Sequence, residues 1–483
     1  MLDWPALAAA PGSCAGGGWQ GRHRSPKNHR NVTDTITPGT TALRFPVRTH
    51  TLGNGMRIVH HEERAAPIVA VHLMYRVGSR HEQPGRTGLA HLLEHLMFEG
   101  SLHAPKGQFD DLLERVGGTN NGSTWLDRTN YYEVVPSHAL ELALWLERDR
   151  MGFFLPVLTG EMLEVQRGVV INERRQSYEN RPYGMADQRL HEMLFGPAHP
   201  YSWPTIGYMP DLEAISLQDA RGFYQTYYTP GNAVLTFAGD LSSDDAFALA
   251  ERYFGDLPPG PRISPAPPPA DPAPAATVRR EVMPDDVSFP RIYQAWTTPP
   301  YGTREWVVLD VLAYLLADGD SSRLQRALVR EGRLAQDVDT YLYPTAVCGT
   351  FGVVSTARTG VAPEALEAAV RRVLDEVAQG VSDDEVLGAV RRVRRDQVGE
   401  LATVEERAEA LSYAATVLGE PEALERVLEM YGEVTADDVA RAAAQWLDAA
   451  RGATLVIVPS GNPPKDEEGM DDDGVDEDGE VEG

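Results

Sequence analysis

A proline-rich break in the middle of the chain constrains its fold more than any other feature. The run Leu257-Pro258-Pro259-Gly260-Pro261, continued through Pro265-Ala266-Pro267-Pro268-Pro269 to Pro274, can neither extend a helix nor sit inside a sheet. It reads as a semi-rigid polyproline-type spacer. The segments on its two sides end alike. Before it come a capped amphipathic helix from Ser216 and a strand from Ala233; near the C-terminus come a capped helix from Thr435 and a strand from Ala453. Two halves repeating one plan follow from this self-similarity. Strand-like runs such as Met56-Arg57-Ile58-Val59-His60 alternate with long helical ones such as His138 to Met151. The sequence therefore predicts an α+β fold of two homologous halves, each a mainly antiparallel sheet covered by helices. The expected boundaries are a disordered leader over 1–43, a first domain over 44–256, a linker over 257–277, a second domain over 278–462 and an acidic, disordered tail over 463–483.

Within the first half, His91-Leu92-Leu93-Glu94-His95 lies in a run of good helix formers without proline. Residues at i and i+4 share a helix face, so His91 and His95 can hold one ion, with Glu94 turned to the same side. Two imidazoles and a carboxylate able to polarise water form the H-x-x-E-H arrangement of zinc hydrolases. A buried helix that merely contains two histidines is the competing reading. His60, His61, His72 and His191 have no partner at ligand spacing and read as structural or solvated. A catalytic zinc needs a third protein ligand and an open position.

Further motifs carry a resemblance. Asn172-Glu173-Arg174-Arg175-Gln176-Ser177-Tyr178-Glu179-Asn180-Arg181-Pro182-Tyr183-Gly184 and His199-Pro200-Tyr201-Ser202-Trp203-Pro204-Thr205-Ile206-Gly207-Tyr208-Met209, with H-x-x-E-H, resemble the bacterial branch of the pitrilysin (insulinase) zinc peptidases. The likeness runs from about Arg44 to about Pro459. It implies one zinc per chain held by His91, His95 and Glu173, with Glu94 as general base and then general acid. Glu173, taken alone, would pass for a surface carboxylate. Gln166 stands seven residues before it, where many relatives carry another Glu.

The segment Gly117 to Thr124 reads by itself as a turn opening into a strand. The resemblance adds that substrate pairs as an extra strand beside the zinc, with Asn121 as a substrate-binding residue and Gly122 in place of the usual Ala. Main-chain pairing makes little demand on sequence, so peptides and unfolded chains are the expected substrates. The resemblance also implies that each chain forms half of a peptidase chamber. Arg330 and Gln336 do not reproduce the Arg/Tyr pair of the distal half of longer relatives, and Arg330 and Arg333 read as ordinary helix-end charges. A heterodimer with a homologous subunit carrying that pair is expected, with a homodimer as the alternative. A non-catalytic structural subunit is the alternative to an enzyme.

Composition narrows the remaining classes. Net charge is −27, and the stretch from Lys465 to Glu482 supplies −10 of it, as a solvated tail would. No basic footprint suits phosphates, so nucleic acid is not an expected partner. No apolar run approaches the roughly 18 residues of a membrane helix. Cys14 and Cys348 imply no disulfide framework. The opening residues lack a basic, apolar signal segment, which points to a cytoplasmic location, with the periplasm as the alternative.

Overall fold

The structure, a computed structural model, describes residues 44–263 and 279–465. The leader expected over 1–43, residues 264–277 of the linker and the acidic tail beyond 465 lie outside the described residues, as does Cys14.

The first half runs β1 (Val47–Thr51), β2 (Arg57–Glu62), β3 (Ile68–Tyr75), α1 (Leu89–Phe98), α2 (Gln108–Arg115), β4 (Thr119–Thr124), β5 (Thr129–Pro136), α3 (Leu140–Phe153), α4 (Gly160–Arg174), α5 (Ala186–Leu194), α6 (Met209–Ala214), α7 (Leu217–Tyr227), β6 (Ala233–Gly239) and α8 (Ser243–Phe254). The second runs β7 (Arg280–Asp285), β8 (Arg291–Thr298), α9 (Arg304–Ala317), β9 (Ala335–Leu342), β10 (Gly349–Ala357), α10 (Pro363–Gln379), α11 (Asp383–Glu400), α12 (Val404–Tyr413), α13 (Ala423–Met430), α14 (Ala436–Trp446) and β11 (Ala453–Pro459).

The two sheets repeat one topology. The first is ordered β1-β2-β6-β3-β5-β4 and the second β7-β11-β8-β10-β9. Apart from β1, each strand has a counterpart. The last strand of each half is parallel to its first common neighbour, β6 to β2 and β11 to β7, and every other pair is antiparallel. The helix before each last strand starts the same way. Ser216 accepts from Asp219 N and closes a capping box on α7; Thr435 accepts from Asp438 N and does so on α14. Each box satisfies amide groups that a bare helix start leaves open.

Each sheet buries one face under its own helices, which gives each half its main core. On the other face the halves exchange a helix. Helix α5 of the first half sets Leu190, Met193 and Leu194 against Tyr293, Ala295 and Leu455. Helix α12 of the second sets Val404 and Ala408 against Ala70 and Ala238 of the first sheet. Burying a leucine fully is worth about 2 kcal/mol, so α5 with its three large apolar side chains adds several such increments and α12 fewer. Covered on both sides, β6 and β10 are buried at every position, as near-continuous apolar strands require. Among the described residues, no helix is long and apolar enough to cross a membrane.

Candidate metal centre

Helix α1 is buried from Leu89 to Met97 and is held at its start from outside. Its N-cap, Gly88, has φ +86° and offers no side chain. Glu82 takes that role, accepting from Gly88 N at 2.9 Å and Ala90 N at 2.8 Å. Burial pushes this carboxyl up to about 8, against the pull of the two N–H groups. Gly88 admits no Cβ, which would meet the Ile206 carbonyl oxygen at 2.7 Å. The His199–Met209 motif thus packs over the start of α1. It also holds α4, because buried Arg174 donates to the Gly207 carbonyl at 2.8 Å, and beyond the motif Arg167 donates to the Ile215 carbonyl at the end of α6 at 2.7 Å.

These contacts bring His91, His95 and Glu173 together. The Nε2 atoms of the two histidines are 3.3 Å apart, and Glu173 Oε2 lies 3.3 Å from His95 Nε2 and 3.8 Å from His91 Nε2. They are the one group of three His, Cys, Asp or Glu side chains among the described residues whose donor atoms could share an ion. Tetrahedral zinc with bonds of about 2.0–2.2 Å sets its ligand atoms about 3.3–3.6 Å apart. Two of the three separations fall in that range and the third, His91 to Glu173 at 3.8 Å, lies just beyond it, so the donor set fits zinc with a small shift of the Glu173 carboxylate. Burial lowers the His91 pKa, opposed by the charge of Glu173, and so favours the neutral imidazole that ligates. Its Nδ1 is buried and has no hydrogen-bond partner among the described residues, so no acceptor fixes that ring from behind.

Glu94 is buried beside the trio and outside it. The Thr124 hydroxyl donates to its Oε2 at 2.5 Å. Thr124 ends β4, the terminal strand of the first sheet. The turn expected at Gly117 to Thr124 is mostly this strand, with Asn121 opposite Tyr132 of β5. Side chains alternate along it. Thr124 faces α1, and a Cβ on Gly122 would press on Phe98 at 3.1 Å, so an alanine there would crowd the same helix. Asn121 faces away from Glu94, its Oδ1 accepting from Gly122 N at 2.8 Å.

The other singled-out residues lie elsewhere. Gln166 is buried on α4 two turns before Glu173. Arg330 is exposed and reaches Asp320. His60 bonds Ser243 and Leu241, His61 bonds Pro46, His72 bonds Asn130, and His191 packs against Phe195, all apart from the trio. Sequence reasoning missed Glu82 and Thr124. The signal for Glu82 is a helix start at glycine without a Ser, Thr, Asp or Asn cap, which demands a cap from outside the helix.

Comparison with known proteins identifies the family. Residues 57–200 match the family described as "Insulinase (Peptidase family M16)", and residues 214–393 match "Peptidase M16 inactive domain". Zinc protease PqqE of Helicobacter pylori is 32% identical over 335 residues, which are 68% of this chain and 74% of that protein. A zinc protease of Streptomyces coelicolor, named as uncharacterized, is 28% identical over 434 residues, 88% of this chain and 92% of that one. A crystal structure of a protease from Helicobacter pylori superposes with a TM-score of 0.80 at 26% identity, covering 86% of this chain and all of the other.

Proposed function

Because the chain belongs to peptidase family M16, the insulinase family, we propose that it is a zinc-dependent endopeptidase acting on peptides and unfolded chains. His91, His95 and Glu173 are the ligands in this reading and Glu94 is the general base. The observation that carries it is the trio of two buried histidines and half-buried Glu173, at near-tetrahedral spacing, with Glu94 beside it. When bound, zinc supplies Lewis acidity, which lowers the pKa of water and polarises a carbonyl.

The chain's own residues do the rest. Glu94 takes the proton from water and returns it to the leaving amine. The Thr124 hydroxyl holds one of its carboxylate oxygens, which leaves the other to carry the proton. Because Thr124 also ends β4, the base and the strand edge keep a fixed distance. An edge strand presents unpaired N–H and C=O groups, so an extended peptide can add to β4 by its main chain, with Asn121 at mid-strand. A folded protein cannot offer such a segment.

A second chain of the same fold closes the chamber in this proposal, as a heterodimer that brings the Arg/Tyr pair absent around Arg330. Sizing the protein alone and with a homologous subunit tests this, and full activity from a monomer or homodimer would refute the heterodimer. A non-catalytic role is disfavoured because the trio, Glu94 and the insulinase match all lie in the first half. Purified protein should carry about one zinc per chain, hydrolyse a quenched unstructured peptide, lose that activity to a chelator and regain it with zinc. Hydrolysis indifferent to the chelator would refute the reading.

A further inference from the structure

Between the end of the first sheet and the helices of the second half lies a cavity of about 150 Å3. Asn121, Ser123 and Tyr132 form one wall, and α9, α11, α12 and α13 form the others. Drug-sized ligands occupy roughly 300 Å3 or more, so this space suits one long side chain. The lining is divided in character. Trp306, Leu401 and Val427 are apolar, while Asp310, Glu405 and Glu409 bring carboxylates. Glu405 and Glu409 sit one turn apart on α12, on one face, beside Tyr132.

The strand geometry connects this cavity to the substrate edge. Thr124 points to Glu94, so Asn121 and Ser123 point to the opposite face, into the cavity. A peptide paired along β4 would set its own side chains alternately on those two faces. One of those on the face of Asn121 and Ser123 then enters the cavity. A separate observation marks the place as incomplete. Arg128, another lining residue, is 5% exposed, and its Nε has no hydrogen-bond partner among the described residues, although its Nη1 donates to the Ser123 carbonyl at 3.0 Å and hydroxyl at 2.7 Å. A buried donor left in this way is costly, and a carbonyl of an added strand would satisfy it.

We propose that this cavity is a specificity pocket for one basic side chain of the peptide, Lys or Arg, on the strand face opposite the metal trio. The aliphatic stem lies against Trp306 and Val427, and the cationic tip meets Glu405 and Glu409. Charge-assisted contacts of this kind are strong where water is partly excluded. The proposal rests on the reading of β4 as the substrate edge.

The test measures binding apart from hydrolysis. In the Glu94→Gln chain, fluorescence anisotropy compares an unstructured peptide carrying a single lysine with the same peptide carrying norleucine, the position being scanned along it. Lysine should tighten binding by on the order of tenfold at a position on that face. In the E405Q/E409Q variant that ratio should fall to about one, and E405K/E409K should prefer a glutamate peptide instead. The reversed preference cannot come from a merely misfolded chain. A lysine preference that survives both variants, or none at any position, overturns the pocket. If the wild-type chain hydrolyses the peptides with no lysine preference, the pocket fails and the endopeptidase reading stands. If lysine-selective binding occurs in a wild-type chain that hydrolyses nothing, the pocket stands and the endopeptidase reading fails.

Discussion

Helices α1 and α9 hold the same place in the repeated plan, each following the strand that pairs antiparallel with the last strand of its half. Their chemistry is opposite. Helix α1 carries His91, Glu94 and His95, all buried, against α4 with Glu173. Helix α9 is buried over Trp306 to Ala317 and carries one buried carboxyl, Asp310, raised by burial and held by the Tyr431 hydroxyl at 2.6 Å. All thirteen histidines of the chain precede residue 200, so the second half holds none. The same topology therefore forms with a buried helix that carries two histidines and a glutamate or with one that carries a single buried carboxyl, and what both halves share is the strand order, the capped helix and the exchanged helix. The plan is structural, and the residues of the proposed chemistry sit on one copy. The second copy still serves the first, because α12 covers the back of the sheet whose edge lies beside Glu94.

The largest effect is expected at the ligands. Glu173→Gln should weaken zinc affinity by more than the about 10–100-fold that outer partners of a metal site are worth, and turnover should fall with it. Metal titration into stripped protein checks this, and unchanged affinity would place the ion elsewhere. Next is Thr124→Val, which leaves the ligands intact and frees Glu94. Losing a hydrogen bond to a charged group costs about 1.5–3 kcal/mol, so kcat/KM should drop roughly 10–150-fold at full zinc content.

Acid sensitivity should also divide the halves. Burial lowers the His72 pKa to about 3, against about 6.5 in the unfolded chain. As pH falls below about 6.5 the unfolded state takes the proton first, so stability is lost between about 6.5 and 3 and unaffected above. At pH 5 that loss is about 2 kcal/mol for this one group. Denaturant melts of His72→Gln at pH 7 and 5 should show a correspondingly smaller decline than the parent, and an equal decline would refute the assignment. The smallest effect is expected in the second half. Asp310→Asn keeps the shape and a bond to Tyr431, so it should cost about 1 kcal/mol and leave zinc affinity untouched. A fall in zinc affinity would show that the second helix is not chemically silent.

Legibility in the sequence followed the reach of each contact. His91, Glu94 and His95 were readable because helix geometry fixes their common face within five residues. Glu173 was not, since a carboxylate 78 residues away looks like any other acid, and only the resemblance singled it out. The repeat was readable at the Ser216 and Thr435 caps, which are local signals. The exchange of α5 and α12 was not, because an amphipathic helix does not say which sheet it covers. Glu82 and Thr124 escaped for the same reason: one caps a helix from the preceding loop, and the other meets Glu94 across 30 residues. Alternation along β4 could have shown that Asn121 and Thr124 take opposite faces, once the segment was read as strand and not as turn.

In the proposed mechanism Glu94 is a base that is not a ligand. Zinc content and peptide turnover measured on the same preparations of wild type and Glu94→Gln test it. The expected result is equal zinc, about one per chain, with turnover lowered by roughly 10²–10⁴-fold. Parental turnover in Glu94→Gln, or loss of zinc along with activity, would contradict it.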